Sequence, residues 1–503
     1  MKKLLSLAVL TLLLISQPSC KKWLDLKPLD GIVREEFWQT KEQVDAAVTG
    51  IYASLLMNTT GGGQFTTPAP TELFFMWGEA RTDMVTPGFR ANDFEYDLVN
   101  LNIQPTNIYS NWRYIYQTIN YCNTVIELAP GVLAKDNTFT QDHLNRSLGE
   151  AYTIRALMYF YLARTFRDVP LKLDATISDE DIQPIPKSTS DVVLAQVVED
   201  LKKAEPSLPQ TYGNINVDKG RVTRYTANAI LADVYLWMEK YTECVAECDK
   251  IINSNRFGLV GGNNNLFNEL YFEGNSSESI FELQFDAQKT NPFYFMHLGS
   301  TRRWGAAPHL MDQVYGVDIV NTPPLSDRRG EGTSLRATDL TIWKYIGANG
   351  TSTAIRTPDQ SYAHWIFYRY ADVLLMKAEA INQLDQPLAA SRLVKVIRER
   401  AQAFDFNGTM DSTSKSSMES YILEERQREF AFEGKRWYDV LRNAKRNNYQ
   451  NRVYLLNMAG LSVAPDRQQA AFAKLQDNNS HYMPIYLYEL QTNKLLVQNP
   501  FYK

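Results

Sequence analysis

Histidine is scarce: the 503-residue chain holds five. They stand at 143, 297, 309, 364 and 481, with no HExxH or similar ligand spacing, so a catalytic metal is not expected. Cysteine is rarer still. Of the four, Cys244 and Cys248 lie one helical turn apart, where their side chains run parallel and cannot bridge. No second ligand pair stands near them, so they read as small buried hydrophobes. Excess positive charge is also missing: 52 Lys and Arg face 57 Asp and Glu, a net charge of −5. Phosphate backbones need a basic field, so nucleic acid is excluded as a partner. No serine nucleophile elbow, Walker loop or dinucleotide fingerprint occurs, and Gly61–Gly63 lacks the lysine and following helix of a phosphate cradle. No cofactor is expected. The longest apolar run, Leu4–Ile15, is too short to span a bilayer.

What is present describes a large globular protein. Hydrophobic residues make up 44% and charged ones 22%, a balance that fits neither disorder nor a membrane bundle. The aromatic share, 12%, is more than a core strictly requires, which leaves rings for a binding face. Lys2, Lys3 and the apolar run make residues 1–19 an export leader. Cys20 then stands where a bacterial lipoprotein carries its lipid, although Gln17 and Pro18 depart from the usual residues before it. The bland alternative is an ordinary leader cleaved nearby.

Helical periodicity dominates the rest. Four helix pairs are expected: 41–56 with 107–129, 141–166 with 191–204, 225–238 with 241–253, and 370–382 with 388–401. Small and aromatic residues arranged this way are weakly TPR-like, but the spacing between pairs is irregular. The fold class is therefore mostly α: a TPR-like scaffold of about four pairs with large irregular loop insertions and a few short strands. The insertions are 58–104, holding Pro68, Pro70, Pro87 and Gly88 among Phe74, Phe75, Trp77 and Phe89, and 255–363. Ser279–Phe285 alternates as a short strand. TIWKYIG, with Trp343 and Tyr345, reads equally as a ligand loop or a buried strand.

One stretch organises the chain: Tyr421–Arg442, YILEERQREFAFEGKRWYDVLR. Leu423, Phe430, Trp437 and Leu441 recur at helical spacing with Gly434 on their stripe, where a missing side chain admits close approach of another element. Glu424 with Arg428 and Lys435 with Asp439 are spaced to pair along a solvated helix face. The string EERQREFAFEGKRWYDVLR resembles the C-terminal signature of the SusD/RagB family of nutrient-capturing surface lipoproteins. So do WLDLKP after Cys20, RDVPL at 167–171, RYADVLLMKAEA at 369–380, VIRERA at 396–401 and the tail through Pro484, Glu489, Asn493, Gln498, Asn499, Pro500 and Tyr502. Lys395 and Gln402 depart from the pattern locally.

The resemblance implies a single domain over 20–503, anchored in the outer membrane through Cys20. It further implies a lid on a SusC-like TonB-dependent transporter that captures glycan or oligosaccharide and breaks no bond. Sugars offer apolar faces to aromatic rings and hydroxyls to polar edges. By region, the resemblance carries ligand binding onto Phe89, Arg90 and Asn92 in the first insertion and Tyr294, Arg303 and Trp304 in the second. Peptide cargo, as in RagB-type relatives, keeps the fold and changes the ligand. A surface glycosidase using Glu79 and Asp83 beside Trp77, and a pure scaffold, are the readings from other classes.

Overall fold

The computed structural model describes residues 37–57, 67–178, 182–262, 265–316, 318, 321–322, 325–405 and 408–503. The leader, Cys20, the arm to residue 36 and Gly61–Gly63 lie outside the described residues. Helix α1 (Lys41–Leu55) opens on a Thr40–Gln43 capping box and buries Val44, Val48, Ile51 and Leu55, the stripe its sequence dictates. In chain order follow α2 (Pro70–Glu79), strand β1 (Val85–Pro87), α3 (Asp93–Val99), α4 (Arg113–Leu128), α5 (Gln141–Phe166), α6 (Ser190–Ala204), α7 (Arg224–Trp237) and α8 (Tyr241–Ile252). The second half adds β2 (Ser279–Leu283), α9 (Phe293–His297), β3 (Trp304–Ala306), β4 (Trp365–Arg369), α10 (Tyr370–Gln383), α11 (Pro387–Ala401), α12 (Lys415–Glu429), α13 (Arg436–Tyr449) and α14 (Val453–Ser462).

All four expected pairs pack: α1 on α4, α5 on α6, α7 on α8, and α10 on α11. Helix α8 also packs on α10, so the array continues across the long insertion, which is looped out between them. Strands are few, and each sheet is a two-stranded antiparallel ribbon. SIFEL pairs with WIFYR as expected for a strand. TIWKYIG divides into a short strand, Thr341–Ile342, and a helical turn, Trp343–Ile346, whose four residues are all buried.

Two expectations fail in instructive ways. The stretch 58–104 is not wholly loop, because PTELFFMWGE forms α2, a helix with Pro70 in its first turn. Phe74, Phe75 and Trp77 are core residues there, and Phe74 meets Tyr161 of α5 at 4.5 Å between ring centroids. Nine of the ten residues of α2 are buried, so the helix belongs inside. Second, Tyr421–Arg442 is two helices. Phe430 to Lys435 turns the chain between α12 and α13, with Phe432 and Gly434 at φ of 65° and 69°. Leu423, Phe430, Trp437 and Leu441 are nonetheless buried, and Gly434 does admit another element: a Cβ there would lie 2.8 Å from the Phe74 carbonyl oxygen. At the facing Gly78 a Cβ would lie 1.9 Å from the Gly434 oxygen.

Apart from half-exposed Glu424, the charges of this stretch are turned inward rather than solvated. Arg369, fully buried, reaches Glu278 and Glu429 at 2.5 Å and Glu433 at 3.0 Å, while Arg329 reaches Glu425 at 2.6 Å. Glu424 does pair with Arg428, at 3.2 Å. Lys435 turns instead to Asp372 at 2.6 Å, because the chain leaves the helix between Glu429 and Arg436.

Candidate functional site

The two insertions meet in the ribbon of β1 and β3, where Val85 faces Ala306 and Pro87 faces Trp304. Beyond β1 the Gly88 and Arg90 amides donate to the Arg303 and Arg302 carbonyls at 2.7 and 3.1 Å. A Cβ on Gly88 would lie 2.4 Å from the Arg302 oxygen, so this crossing requires glycine. Gly88 to Ala91 closes a turn through a 3.0 Å hydrogen bond and lifts Phe89 to its crest, where the ring is 89% exposed. Arg90 is also exposed, with no ion pair among the described residues.

Asn92 caps α3. Its side-chain oxygen accepts from the Glu95 amide at 3.2 Å, and the Glu95 carboxylate accepts from the Asn92 amide at 2.9 Å. With the helix started there, Asp93, Tyr96, Asp97 and Asn100 fall at spacings of three, four and seven, on one face. That face lines a cleft of about 890 Å³. Thr86 and Pro87 form a second wall, and Leu461 to Arg467, arriving from the end of α14, form the third. Tyr96 is 46% exposed. Burial, with Asp93 nearby, raises the Asp97 carboxyl above its usual range. The cleft therefore offers an aromatic ring, an amide and hydroxyls in a wall where Asp93, Asp97 and Asp466 outnumber Arg467.

The other candidate residues stand differently. Trp304 is fully buried, so it presents no face to a ligand; its carbonyl accepts from His297 Nδ1 at 3.2 Å. Burial holds that imidazole neutral by pushing its pKa down to about 3. Arg303 is a strut rather than a free ligand group: it pairs with Glu72 of α2 at 2.8 Å and donates to Glu95 of α3 at 2.7 Å. These carboxylates hold the guanidinium charged, while burial raises Glu95. Tyr294 is enclosed too, but its neighbour Phe295 is 64% exposed. Trp343 and Tyr345 are buried, and so is every described tryptophan. Most of the aromatic surplus is core; Phe89, Tyr96 and Phe295 are the exposed rings in or beside the two insertions, and Tyr121 and Tyr488 are exposed elsewhere.

Sequence reasoning missed Tyr96 and Asp97, although the Asn92–Glu95 capping signature and the spacing that follows were legible. The wall at 461–467 carried no such signal, since only folding brings it beside residues 86–100. Glu79 and Asp83 do not form a paired acid site. Glu79 is buried and accepts from the Gly434 amide at 2.9 Å, and Asp83 is taken by Arg436 at 2.9 Å. Burial raises Glu79 to about 8. Cys122, Cys244 and Cys248 are buried free thiols, and no group of His, Cys, Asp and Glu suited to a metal occurs among the described residues.

Comparison with known proteins covers almost the whole chain. The SusD family model matches residues 319–502, and the model described as starch-binding associating with outer membrane matches 22–236. A SusD-like protein of Formosa agariphila is 28% identical, with 88% of this chain and 93% of that protein aligned. A second from the same organism is 24% identical over 99% of this chain and 98% of its own length. Among solved structures, a SusD superfamily protein from Bacteroides vulgatus superposes with a TM-score of 0.73 at 24% identity, covering 92% of this chain and all of that one. A laminarin-binding SusD-like protein superposes with a TM-score of 0.67 at 21% identity, over 92% of this chain and 100% of its own. Signature, helix-pair scaffold and matches from end to end agree, and the chain belongs to the SusD-like family.

Proposed function

We propose that the protein is a cell-surface glycan-binding lipoprotein, held in the outer membrane through Cys20. It captures oligosaccharide and passes it to a SusC-like TonB-dependent transporter without breaking a bond. The observation that carries this reading is one large cleft lined by Tyr96 and the polar face of α3, whose second wall, Thr86 and Pro87, runs on into the turn that exposes Phe89. A pocket near 890 Å³ falls within the roughly 300–1,000 Å³ of small-ligand sites. The family description as starch-binding and the laminarin-binding structural relative support the ligand class. Phe89, Tyr96 and Phe295 are the proposed ring surfaces. Arg90, Asn92, Asp97 and Asn100 are the proposed hydroxyl partners. The carboxylate excess in the cleft favours neutral sugars over uronates or sulfated chains, since like charges repel.

Calorimetry against a panel of neutral and acidic glycans and a peptide digest tests the reading. Neutral glycan should bind, and Phe89→Ala or Tyr96→Ala should weaken it by about tenfold or more, the scale of one lost aromatic contact. Binding of peptides alone would replace the cargo while leaving the fold untouched.

A further inference from the structure

A second cleft, of about 300 Å³, runs along the Tyr454, Asn457, Met458 and Leu461 face of α14. Leu461, 49% exposed, is the one residue that lines both clefts. The second cleft has an apolar floor of Leu423, Val440 and Met458 under the amides of Gln427 and Asn457. At one end Arg436 holds Asp83 through two hydrogen bonds of 2.9 Å, and Gln427 adds a third to the same carboxylate at 3.1 Å. That charge is matched in place, as is the Glu424–Arg428 pair of the same lining at 3.2 Å, so the cleft demands no ionic ligand. His309 Nε2, also in the lining, is buried without a hydrogen-bond partner among the described residues. A buried polar atom left this way is costly unless something arrives to bond it. Burial lowers the pKa of this imidazole, so it is neutral and suited to exchange a hydrogen bond with a hydroxyl.

We infer that this cleft is a second subsite, joined to the first over Leu461, which takes the continuing end of a longer neutral glycan and pairs one of its hydroxyls with His309. The inference rests on the glycan reading and adds to it a preference for chain length. No ligand too short to cross Leu461 draws on the second cleft.

Calorimetry with α- and β-glucan series from disaccharide to octasaccharide tests it. In the unaltered protein, affinity should rise by about tenfold beyond the length that fills the first cleft. Asn457 is exposed on α14, so Asn457→Trp fills the second cleft without touching the core. It should erase that increment and leave short ligands unaffected. Independently, the His309 imidazole resonances should shift with the long oligosaccharide and stay still with the short one. An increment that survives Asn457→Trp, affinity flat with length, or a His309 signal indifferent to long ligands overturns the second subsite alone. Absence of binding at every length, by contrast, overturns the glycan reading and this inference with it.

Discussion

At the scale of single residues, burial decides which aromatic or charged side chain does which work. Phe89 and Trp304 sit near the same end of one short ribbon, yet one is exposed on a turn and the other enclosed. Their alanine variants should therefore separate cleanly. Trp304→Ala should cost about 3–5 kcal/mol in denaturant unfolding, the usual penalty for emptying so large a core position. Phe89→Ala should leave stability unchanged and weaken ligand. Glu79 gives a residue-scale prediction in pH. Its carboxyl is raised from 4.5 to about 8 by burial, so the folded state keeps a proton that the unfolded state releases. Stability from this group is full below pH 4.5 and is lost as pH rises through 8. Glu79→Gln should match the parent at pH 5 and exceed it at pH 9 by on the order of 1–3 kcal/mol, read from urea midpoints.

At the scale of elements, periodicity carried most of the scaffold. The stripes of α1, α5, α7 and α10 were visible in their helical periodicity, and the pairing of α7 with α8 and of α10 with α11 followed from short connections. The candidate site was legible only in part. Its first two walls come from one stretch, Thr86 to Asn100, whereas its third comes from 461–467, and no local pattern reports a contact of that separation. The FAFEGK turn was also hidden. Leu423, Phe430, Trp437 and Leu441 keep helical spacing across it, and the positive φ values at Phe432 and Gly434 follow from packing against α2 rather than from composition. The charged face misled for a related reason, since its partners Arg329, Arg369 and Asp372 lie elsewhere in the chain. Arg369→Met strands several buried carboxylates and should cost about 3–5 kcal/mol, measured by thermal or denaturant melting. Gly78→Ala should destabilise comparably with a large core error, because the atom it adds meets backbone rather than a yielding side chain.

At the scale of the whole molecule, the two matched regions, 22–236 and 319–502, are not independent bodies in space. Asp83 bonds Arg436, Arg81 donates to the His481 carbonyl at 3.0 Å, and Gly78 lies against Gly434. A single-domain reading of 20–503 therefore expects one calorimetric unfolding transition; two separated transitions would divide the chain. The anchor is tested separately: Cys20→Ala should release the protein from the outer-membrane fraction while ligand binding is retained. The contact between Glu79 and the Gly434 amide spans 355 residues of chain. Contacts so distant in sequence are slow to form. Synthesis delivers residue 79 long before residue 434, so α2, with Phe74, Phe75, Met76 and Trp77 still uncovered, must wait for the partner that completes its burial. The nascent chain is thus most exposed to aggregation in that interval, and a truncation just short of Gly434 would make the waiting permanent.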